Sequence, residues 1–174
     1  MKVTPLKIPD VKLIEPDVFK DERGFFYESF NQRKFNRLIG QDITFVQDNH
    51  SKSSKGVLRG LHYQEKPFAQ GKLLRVIVGE IFDVVVDIRK ESSTYGQWIS
   101  EIISSEKHNQ IWIPEGFAHG FVALKDNTHV LYKTTNFYSK DHEKTIHWTK
   151  NEFNIIWPKD LLFSISKKDS LGEN

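Results

Sequence analysis

The stretch KLLRVIVGEIFDVVVDI, residues 72–88, decides the fold. Lys72–Val78 has the composition of a strand, Gly79–Glu80 has that of a two-residue turn, and Ile81–Ile88 returns as a second strand. Side chains alternate between the faces of a strand. The returning strand thus places on one face Phe82, Val84, Val86 and Ile88, and on the other Asp83 and Asp87. The stretch predicts an antiparallel hairpin.

Similar short strands follow at regular intervals, separated by turn residues such as those of 91–96 and 125–127. This spacing predicts an all-β sandwich or barrel. The predicted strands are Gln97–Ile103, Gln110–Ile113, Ala118–Leu124 and Thr128–Thr135. One helix is predicted between the cap residues Asn31 and Gly40, with the apolar stripe Phe35, Leu38 and Ile39.

Length and composition indicate a single domain over residues 1–174 with a sizeable core, since 38% of the residues are hydrophobic. The chain has no cysteine, which excludes disulfides and thiolate metal sites. It has no apolar run of membrane-spanning length and no signal-peptide core. A net charge of +2 favours neither nucleic acid nor a membrane surface as a partner. We therefore expect a soluble cytoplasmic protein.

The segment VLRGLHYQ, residues 57–64, places Arg59 and His62 within an apolar strand pattern, and Lys72 follows closely. A base beside cations suits the removal of a proton from carbon, because the cations stabilise the anion that forms. Arg59 and His62 are three residues apart, so a regular strand would place them on opposite faces. Gly60 permits a bulge that turns both inward.

The segment IPEGFAHG, residues 113–120, resembles the second motif of cupin barrels, Pro-x-Gly-x-x-His, in which the histidine commonly binds metal. The first cupin motif contains His-x-His, and here that position reads His62-Tyr63-Gln64. Two histidines without a third ligand make a poor site for zinc or iron. We predict no metal.

Other segments have ordinary structural interpretations when taken alone. Tyr132 is typical of a core tyrosine. Residues 21–28 are typical of a turn that enters an aromatic strand, and residues 47–51 are typical of a polar loop. The polar segment 164–174 is predicted to be a mobile tail.

Taken together, long motifs from about Leu13 to Asp169 closely resemble the deoxythymidine-diphosphate-4-keto-6-deoxyglucose 3,5-epimerases. These motifs are DERGFF (21–26), FVQDNHS (45–51), GVLRGLHYQ (56–64), QGK (70–72), VGEIFDV (78–84), WIPEGFAHGF (112–121) and LYKTT (131–135). The resemblance implies a cupin-like jelly-roll barrel with short flanking helices, no cofactor, and a homodimer in which residues 1–12 are exchanged between subunits.

The resemblance also implies site residues for a nucleotide-sugar substrate. His62 is the expected base, Asp169 its partner, Lys72 the stabiliser of the enolate oxygen, and Tyr132 the acid on the opposite face. The expected substrate contacts are Arg23, Phe26, Glu28, Gln47, Asn49, Arg59, His119, Tyr138, Glu143 and Lys168. Within this set, Phe26 and Tyr138 are expected to enclose the thymine.

Two alternatives remain open from the sequence. One is a 3-epimerase or 3,4-ketoisomerase acting on a related nucleotide sugar, and the other is a sugar-binding cupin without activity. Tyr132 favours the double epimerase, because inversion at C5 requires an acid on the face opposite the base.

Overall fold

The computed structural model describes residues 1–173. Its strands are β1 (Lys2–Pro5), β2 (Lys12–Glu15), β3 (Phe19–Asp21), β4 (Gly24–Phe26), β5 (Gln47–Ser53), β6 (Val57–Gln64), β7 (Lys72–Val78), β8 (Glu80–Asp87), β9 (Trp98–Ser104), β10 (Gln110–Ile113), β11 (Phe117–Ala123), β12 (Thr128–Thr134), β13 (Glu143–Thr145) and β14 (Ser164–Ile165). The helices are α1 (Gln32–Ile39), α2 (Lys167–Ser170) and a 3-10 turn, Lys140–His142.

Two sheets form the barrel, as expected for a cupin-like jelly roll. The first has the strand order β1-β2-β10-β7-β12-β5. The second has the order β13-β6-β11-β8-β9, and β14 also pairs with β6. Apolar side chains from both sheets meet in one cluster between them, which includes Leu74, Val130, Val85 and Phe121. The predicted all-β fold class is confirmed.

The hairpin predicted for residues 72–88 is present, although β8 begins one residue earlier than expected, at Glu80. The two faces of β8 are divided as predicted. Val84 and Val86 pack into a cluster on the outer side of the second sheet, whereas Asp83 and Asp87 lie on the other face. Both carboxylates are fully buried.

Helix α1 has the predicted caps. The Asn31 side chain accepts a hydrogen bond from the backbone N–H of Lys34, and Gly40 ends the helix with a φ of +76°. Phe35 and Ile39 are buried against the outer side of the first sheet. Leu38 is exposed, so its predicted place in the apolar stripe is wrong.

Residues 47–51 belong to strand β5 and do not form the polar loop expected from their composition. This strand pairs with β12 along its whole length, from Gln47 opposite Thr134 to Ser53 opposite Thr128. Its inward side chains are polar because they border a polar cavity. The strand therefore lacks the apolar alternation by which β strands are usually predicted.

The polar segment from residue 164 to 173 is folded, which corrects the prediction of a mobile tail. β14 pairs in parallel with β6, with Ser164 opposite Val57. The hydroxyl of Ser166 accepts a hydrogen bond from the Asp169 N–H and so caps α2. Asp169 itself is 3% exposed.

At the other end of the chain, β1 pairs with β2 and β2 pairs with β10. Ile8 and Val11, which lie between β1 and β2, are buried in the barrel core. The exchange of residues 1–12 between subunits concerns a pair of chains and stays a prediction. None of the helices described within residues 1–173 has the length and apolar character needed to span a membrane.

Candidate active site

His62 and Asp169 form a close pair at the edge of the barrel. The Nε2 atom of His62 lies 2.6 Å from Oδ1 of Asp169. Burial raises the pKa of Asp169, but the hydrogen bond and charge of His62, with hydrogen bonds from Ser166 and Gly60, outweigh it and leave this pKa below its ordinary value. An ionised carboxylate only accepts, so Nε2–H of His62 donates. The other ring nitrogen, Nδ1, then has a free lone pair and can act as a base.

A kink in β6 brings Arg59 and His62 to one groove beside β14 and α2, which Lys168 and Asp169 also line. His62 lies between this groove and a separate cavity inside the barrel, whose lining does not include Arg59. The register between β6 and β11 shifts at this point. Gly60 has a φ of +116°, and a Cβ added to it would lie 2.6 Å from the Cα of Gly120. Only glycine fits this backbone conformation and close approach. The bulge predicted at Gly60 therefore explains how Arg59 and His62, although three residues apart, both come to line this groove.

Lys72, at the start of β7, lines the cavity inside the barrel that His62 also borders, and its Nζ is 3.4 Å from the carbonyl oxygen of His62. Burial lowers the pKa of Lys72 to about 8, and the charges of Glu143 and Asp83 limit the decrease. Lys72 is therefore still mostly protonated at neutral pH, in surroundings where its charge acts strongly on a nearby anion.

Tyr132 of β12 borders the same cavity, whose volume is about 130 Å³. Burial, followed by the charge of Glu143, raises the pKa of Tyr132, and Arg59 partly opposes this. The phenol therefore keeps its proton at neutral pH and can serve as an acid. A base, a cation and an acid thus surround one cavity.

Tyr138 and Glu143 form the outer wall of this cavity, and Lys168, which lines the groove beside α2, contacts this wall through Glu143. Oε2 of Glu143 accepts hydrogen bonds from the Tyr138 hydroxyl at 2.8 Å and from Lys168 Nζ at 2.6 Å. Burial raises the pKa of Glu143, but the bonds from Lys168 and Tyr138, with the charges of Lys168 and His62, bring it below its ordinary value. The wall therefore contains an ionised carboxylate that joins α2 to β13.

Gln47 and Asn49 border the cavity from β5. The Gln47 amide donates to Asn49 Oδ1 at 2.9 Å, and its oxygen accepts from the Tyr138 N–H at 3.0 Å. Arg59 donates to the Ser53 hydroxyl at 3.1 Å and to the carbonyl of Lys52. Gln47 and Asn49 thus supply neutral polar groups to the cavity, whereas the Arg59 cation lies in the groove beside α2.

His119 is farther inside the barrel than a ligand contact would require. Its Nε2 lies 2.7 Å from Oδ2 of Asp83, and both side chains are buried. It stands opposite His62 on the neighbouring strand but is absent from the cavity lining. In this chain His119 lies behind the site.

Arg23, Phe26 and Glu28 do not reach the cavity of their own chain. Arg23 forms an ion pair with Asp21 within the β3–β4 hairpin. Phe26 is 72% exposed and lines a groove on the outer side of the first sheet. Glu28 is bonded to Lys34 at 2.8 Å. Of the other predicted site residues, His119 lies behind the cavity, Arg59, Lys168 and Asp169 line the groove beside α2, and the rest line the cavity.

Three cavity residues were missed in the sequence, namely Tyr63, Gln64 and Gln70. Gln64 follows His62 by two positions, so strand alternation alone places the two side chains on the same face. Gln70 directly precedes Gly71 and Lys72, but it lies in a loop, where no periodicity applies. Within residues 1–173, no three His, Asp or Glu side chains come together as a metal-binding group.

A carboxylate-bound imidazole, a buried lysine and a protonated tyrosine around one cavity of a jelly-roll barrel define an enzyme that moves protons at carbon. The family model described as dTDP-4-dehydrorhamnose 3,5-epimerase matches residues 5–174. The chain belongs to the dTDP-4-dehydrorhamnose 3,5-epimerase family, and it is an epimerase.

Individual relatives agree with this assignment. The dTDP-4-dehydrorhamnose 3,5-epimerase of Shigella flexneri is 60% identical over 173 residues, covering 99% of this chain and 95% of that protein. A crystal structure of the Legionella pneumophila epimerase in complex with dTDP-4-keto-L-rhamnose is 46% identical, covers 99% of this chain and 91% of its own, and has a TM-score of 0.96.

A more distant structure is that of ChmJ, a 3'-monoepimerase from Streptomyces bikiniensis in complex with dTDP-quinovose. It is 30% identical with a TM-score of 0.92, and the match covers 97% of this chain and 85% of that chain. The same fold thus occurs in enzymes that invert one centre or two.

Proposed function

We propose that this chain inverts C3 and C5 of dTDP-4-keto-6-deoxy-D-glucose and releases dTDP-4-keto-L-rhamnose. The observation that carries the proposal is the convergence of His62, Lys72 and Tyr132 on one cavity, with Asp169 bonded to His62. Both carbons are adjacent to the C4 ketone, so loss of a proton from either one gives an enolate.

In the first half of each inversion, Nδ1 of His62 takes the proton from the sugar carbon, and the C–H electron pair becomes the enolate double bond. The negative charge moves to the ketone oxygen, where the Lys72 ammonium stabilises it. Asp169 holds the imidazole in one tautomer and stabilises its protonated form.

In the second half at C5, the Tyr132 hydroxyl gives its proton to the opposite face of the same carbon, whereas at C3 a proton from solvent reaches that face. The configuration is thereby inverted, leaving an imidazolium at His62 and, after the C5 step, a phenolate at Tyr132. Exchange with water removes the proton from His62 and returns one to Tyr132 before the next inversion.

The nucleotide part of the substrate extends from this centre to the outer wall. Tyr138 stacks on the thymine, and Gln47 and Asn49 supply hydrogen bonds. Arg59 and Lys168 neutralise the diphosphate. The His119–Asp83 pair lies beneath the sugar and supports the wall of the cavity.

The remaining binding residues come from a second chain in a homodimer. The β3–β4 hairpin exposes Phe19, Phe25 and Phe26 by 60–72%, which is unfavourable in water. Arg23, Phe26 and Glu28 are at or next to this hairpin and away from the cavity of their own chain. A two-fold arrangement in which each hairpin reaches the partner's cavity buries the aromatic rings and completes both sites.

A cytoplasmic location and independence of metals also stay predictions.

Reaction in heavy water tests the proposal. Each inverted carbon loses its original hydrogen and receives one from an acid that exchanges with solvent, so deuterium should appear at both C3 and C5 of the sugar. Mass spectrometry gives the number of deuterons and NMR their positions. The matched control is His62→Ala, which should lower the rate of labelling by roughly 10²- to 10⁴-fold.

The structural likeness to a 3'-monoepimerase makes inversion at C3 alone the second candidate. That activity labels C3 only. Full conversion with no deuterium at C5 would therefore refute the double epimerase in favour of this alternative, and a carbonyl moved to C3 would indicate a ketoisomerase.

A further inference from the structure

The loop of residues 136–139 carries Tyr138 and has no regular secondary structure. Phe137 and Tyr138 are 60% and 53% exposed, so little apolar packing holds this loop in place. Its backbone groups are bound instead by side chains from other parts of the chain. Gln47 accepts from the Tyr138 N–H, and Gln70 donates to the Asn136 carbonyl at 2.8 Å.

Gln64, the last residue of β6, makes more of these bonds than any other side chain in the described part of the chain. Its Oε1 accepts from the Ser139 N–H at 2.7 Å. Its Nε2 donates to the Phe137 carbonyl at 3.1 Å and to the Phe68 carbonyl at 2.6 Å. Gln64 is only 7% exposed, so water cannot easily replace these bonds.

The three bonds connect two loops at the mouth of the cavity. Phe68 belongs to the loop of residues 65–71, and Phe137 and Ser139 belong to the loop that carries Tyr138. A further bond, from the Asn136 amide to the Pro67 carbonyl at 3.1 Å, runs between the same loops. Only a primary amide can both donate twice and accept at this position.

We propose that Gln64 is a positioning residue for nucleotide binding, because it fixes the loop that presents Tyr138 at the mouth of the cavity. It acts through the backbone of residues 137–139 and takes no part in proton transfer. The inference rests on the proposed function for the identity of the nucleotide, dTDP. It extends that function by attributing part of the affinity for the nucleotide to a buried side chain on β6, the strand that also carries His62.

The test is Gln64→Met, which keeps the length of the side chain and removes the donors and the acceptor. The dissociation constant of dTDP, measured by calorimetry, and the KM of the keto sugar nucleotide should both rise about tenfold, the factor that corresponds to roughly 1.4 kcal/mol. The kcat should stay within about threefold, because His62, Lys72 and Tyr132 are unchanged.

Two further variants separate positioning from general loss of stability. Gln64→Glu keeps the acceptor for Ser139 and removes both donors, and it should also weaken dTDP binding. Asn109→Leu is the matched control, since the Asn109 carboxamide accepts from the Ser104 N–H and donates to the Ile102 carbonyl in a turn outside the cavity. It should lower the unfolding temperature and leave dTDP affinity unchanged.

Amide hydrogen exchange provides a readout independent of turnover. The amides of residues 137–139 should exchange faster in Gln64→Met than in the parent, and those of Asn109→Leu should not. Unchanged exchange in this loop, or a fall in kcat with unchanged dTDP affinity, would overturn the inference. A parent chain that binds dTDP but yields no epimerised product would refute the proposed function and leave this test in force.

Discussion

At the scale of single residues, the site depends on contacts between side chains that are far apart in the sequence. Asp169 lies 107 positions from His62, yet their side chains are bonded. This contact fixes which imidazole nitrogen carries the proton. The chemistry of the site therefore depends on which side chains are bonded to each other as well as on their residue types.

Tyr132→Phe should separate the two inversions. Removing the hydroxyl leaves the packing of the ring nearly unchanged, so the fold should be retained. His62 can still remove protons, but at C5 they return only to the face from which they came. Product analysis by NMR should show inversion at C3 outlasting inversion at C5. Equal loss at both carbons would show that Tyr132 is not the acid for C5.

The pKa of Lys72 predicts an alkaline limit for activity. Burial lowers this pKa to about 8, and in the proposed mechanism it is the protonated form that stabilises the enolate. Activity should therefore be retained below pH 8 and decrease as the pH rises through that value. In Lys72→Arg the cation stays charged, so the profile of kcat/KM should be flatter above pH 8 even if its maximum is lower. An identical alkaline limit in both proteins would assign it to another group.

Several of these residues are predictable from the sequence for simple reasons. His62 interrupts an apolar strand and Lys72 begins one, and polar residues in such a pattern indicate a cavity. Tyr132 taken alone is typical of a core tyrosine, and only the family resemblance assigns it to the site. The ion pair of Glu143 with Lys168 has no such signal, because its partners meet only when the chain end folds onto β6. The family resemblance identifies Glu143 and Lys168 as site residues, but only the folded structure shows that they contact each other.

At the scale of elements, α2 delivers two site residues from one short turn, with Lys168 bonded to Glu143 and Asp169 bonded to His62. A helix of four residues is not stable by itself. Its position depends on the cap from Ser166 and on the pairing of β14 with β6.

Ser166→Ala should therefore lower kcat by up to about fivefold, since loss of an N-cap costs about 1 kcal/mol. The pKa of Asp169 should rise, because the Ser166 bond is one of the contacts that lower it. Ser170→Ala is the matched control, as its hydroxyl donates to the Lys167 carbonyl on the exposed side of the same helix. Equal activity in the two variants would show that the cap does not position Asp169.

Strands were predictable wherever apolar residues mark a core face, as in β7 and β8. β5 could not be predicted in this way, because its inward residues border a polar cavity and its outward residues face water. Helix α2 could not be predicted either, because its burial depends on the bond between the Asp169 carboxylate and His62 and not on an apolar stripe.

At the scale of the whole molecule, the hairpin residues determine how many chains build one site. If Arg23 acts in the partner's cavity, co-expressed His62→Ala and Arg23→Ala chains form mixed dimers with one intact site. These dimers, isolated with two different tags, should show roughly half the parent activity, since a two-fold dimer contains two equivalent sites. Activity no greater than that of the two single variants would place Arg23 in its own chain's site.

The contact between Gly60 and Gly120 has a consequence for how the chain can vary. A Cβ on Gly60 would meet the Cα of Gly120, and a Cβ on Gly120 would lie 2.8 Å from the Arg59 carbonyl. Neither substitution makes room for the other, so no order of single changes leads through a folded intermediate to a side chain at either position. Genetic drift can therefore reshape the outer loops while the crossing of β6 and β11, and with it the direction of His62, stays fixed.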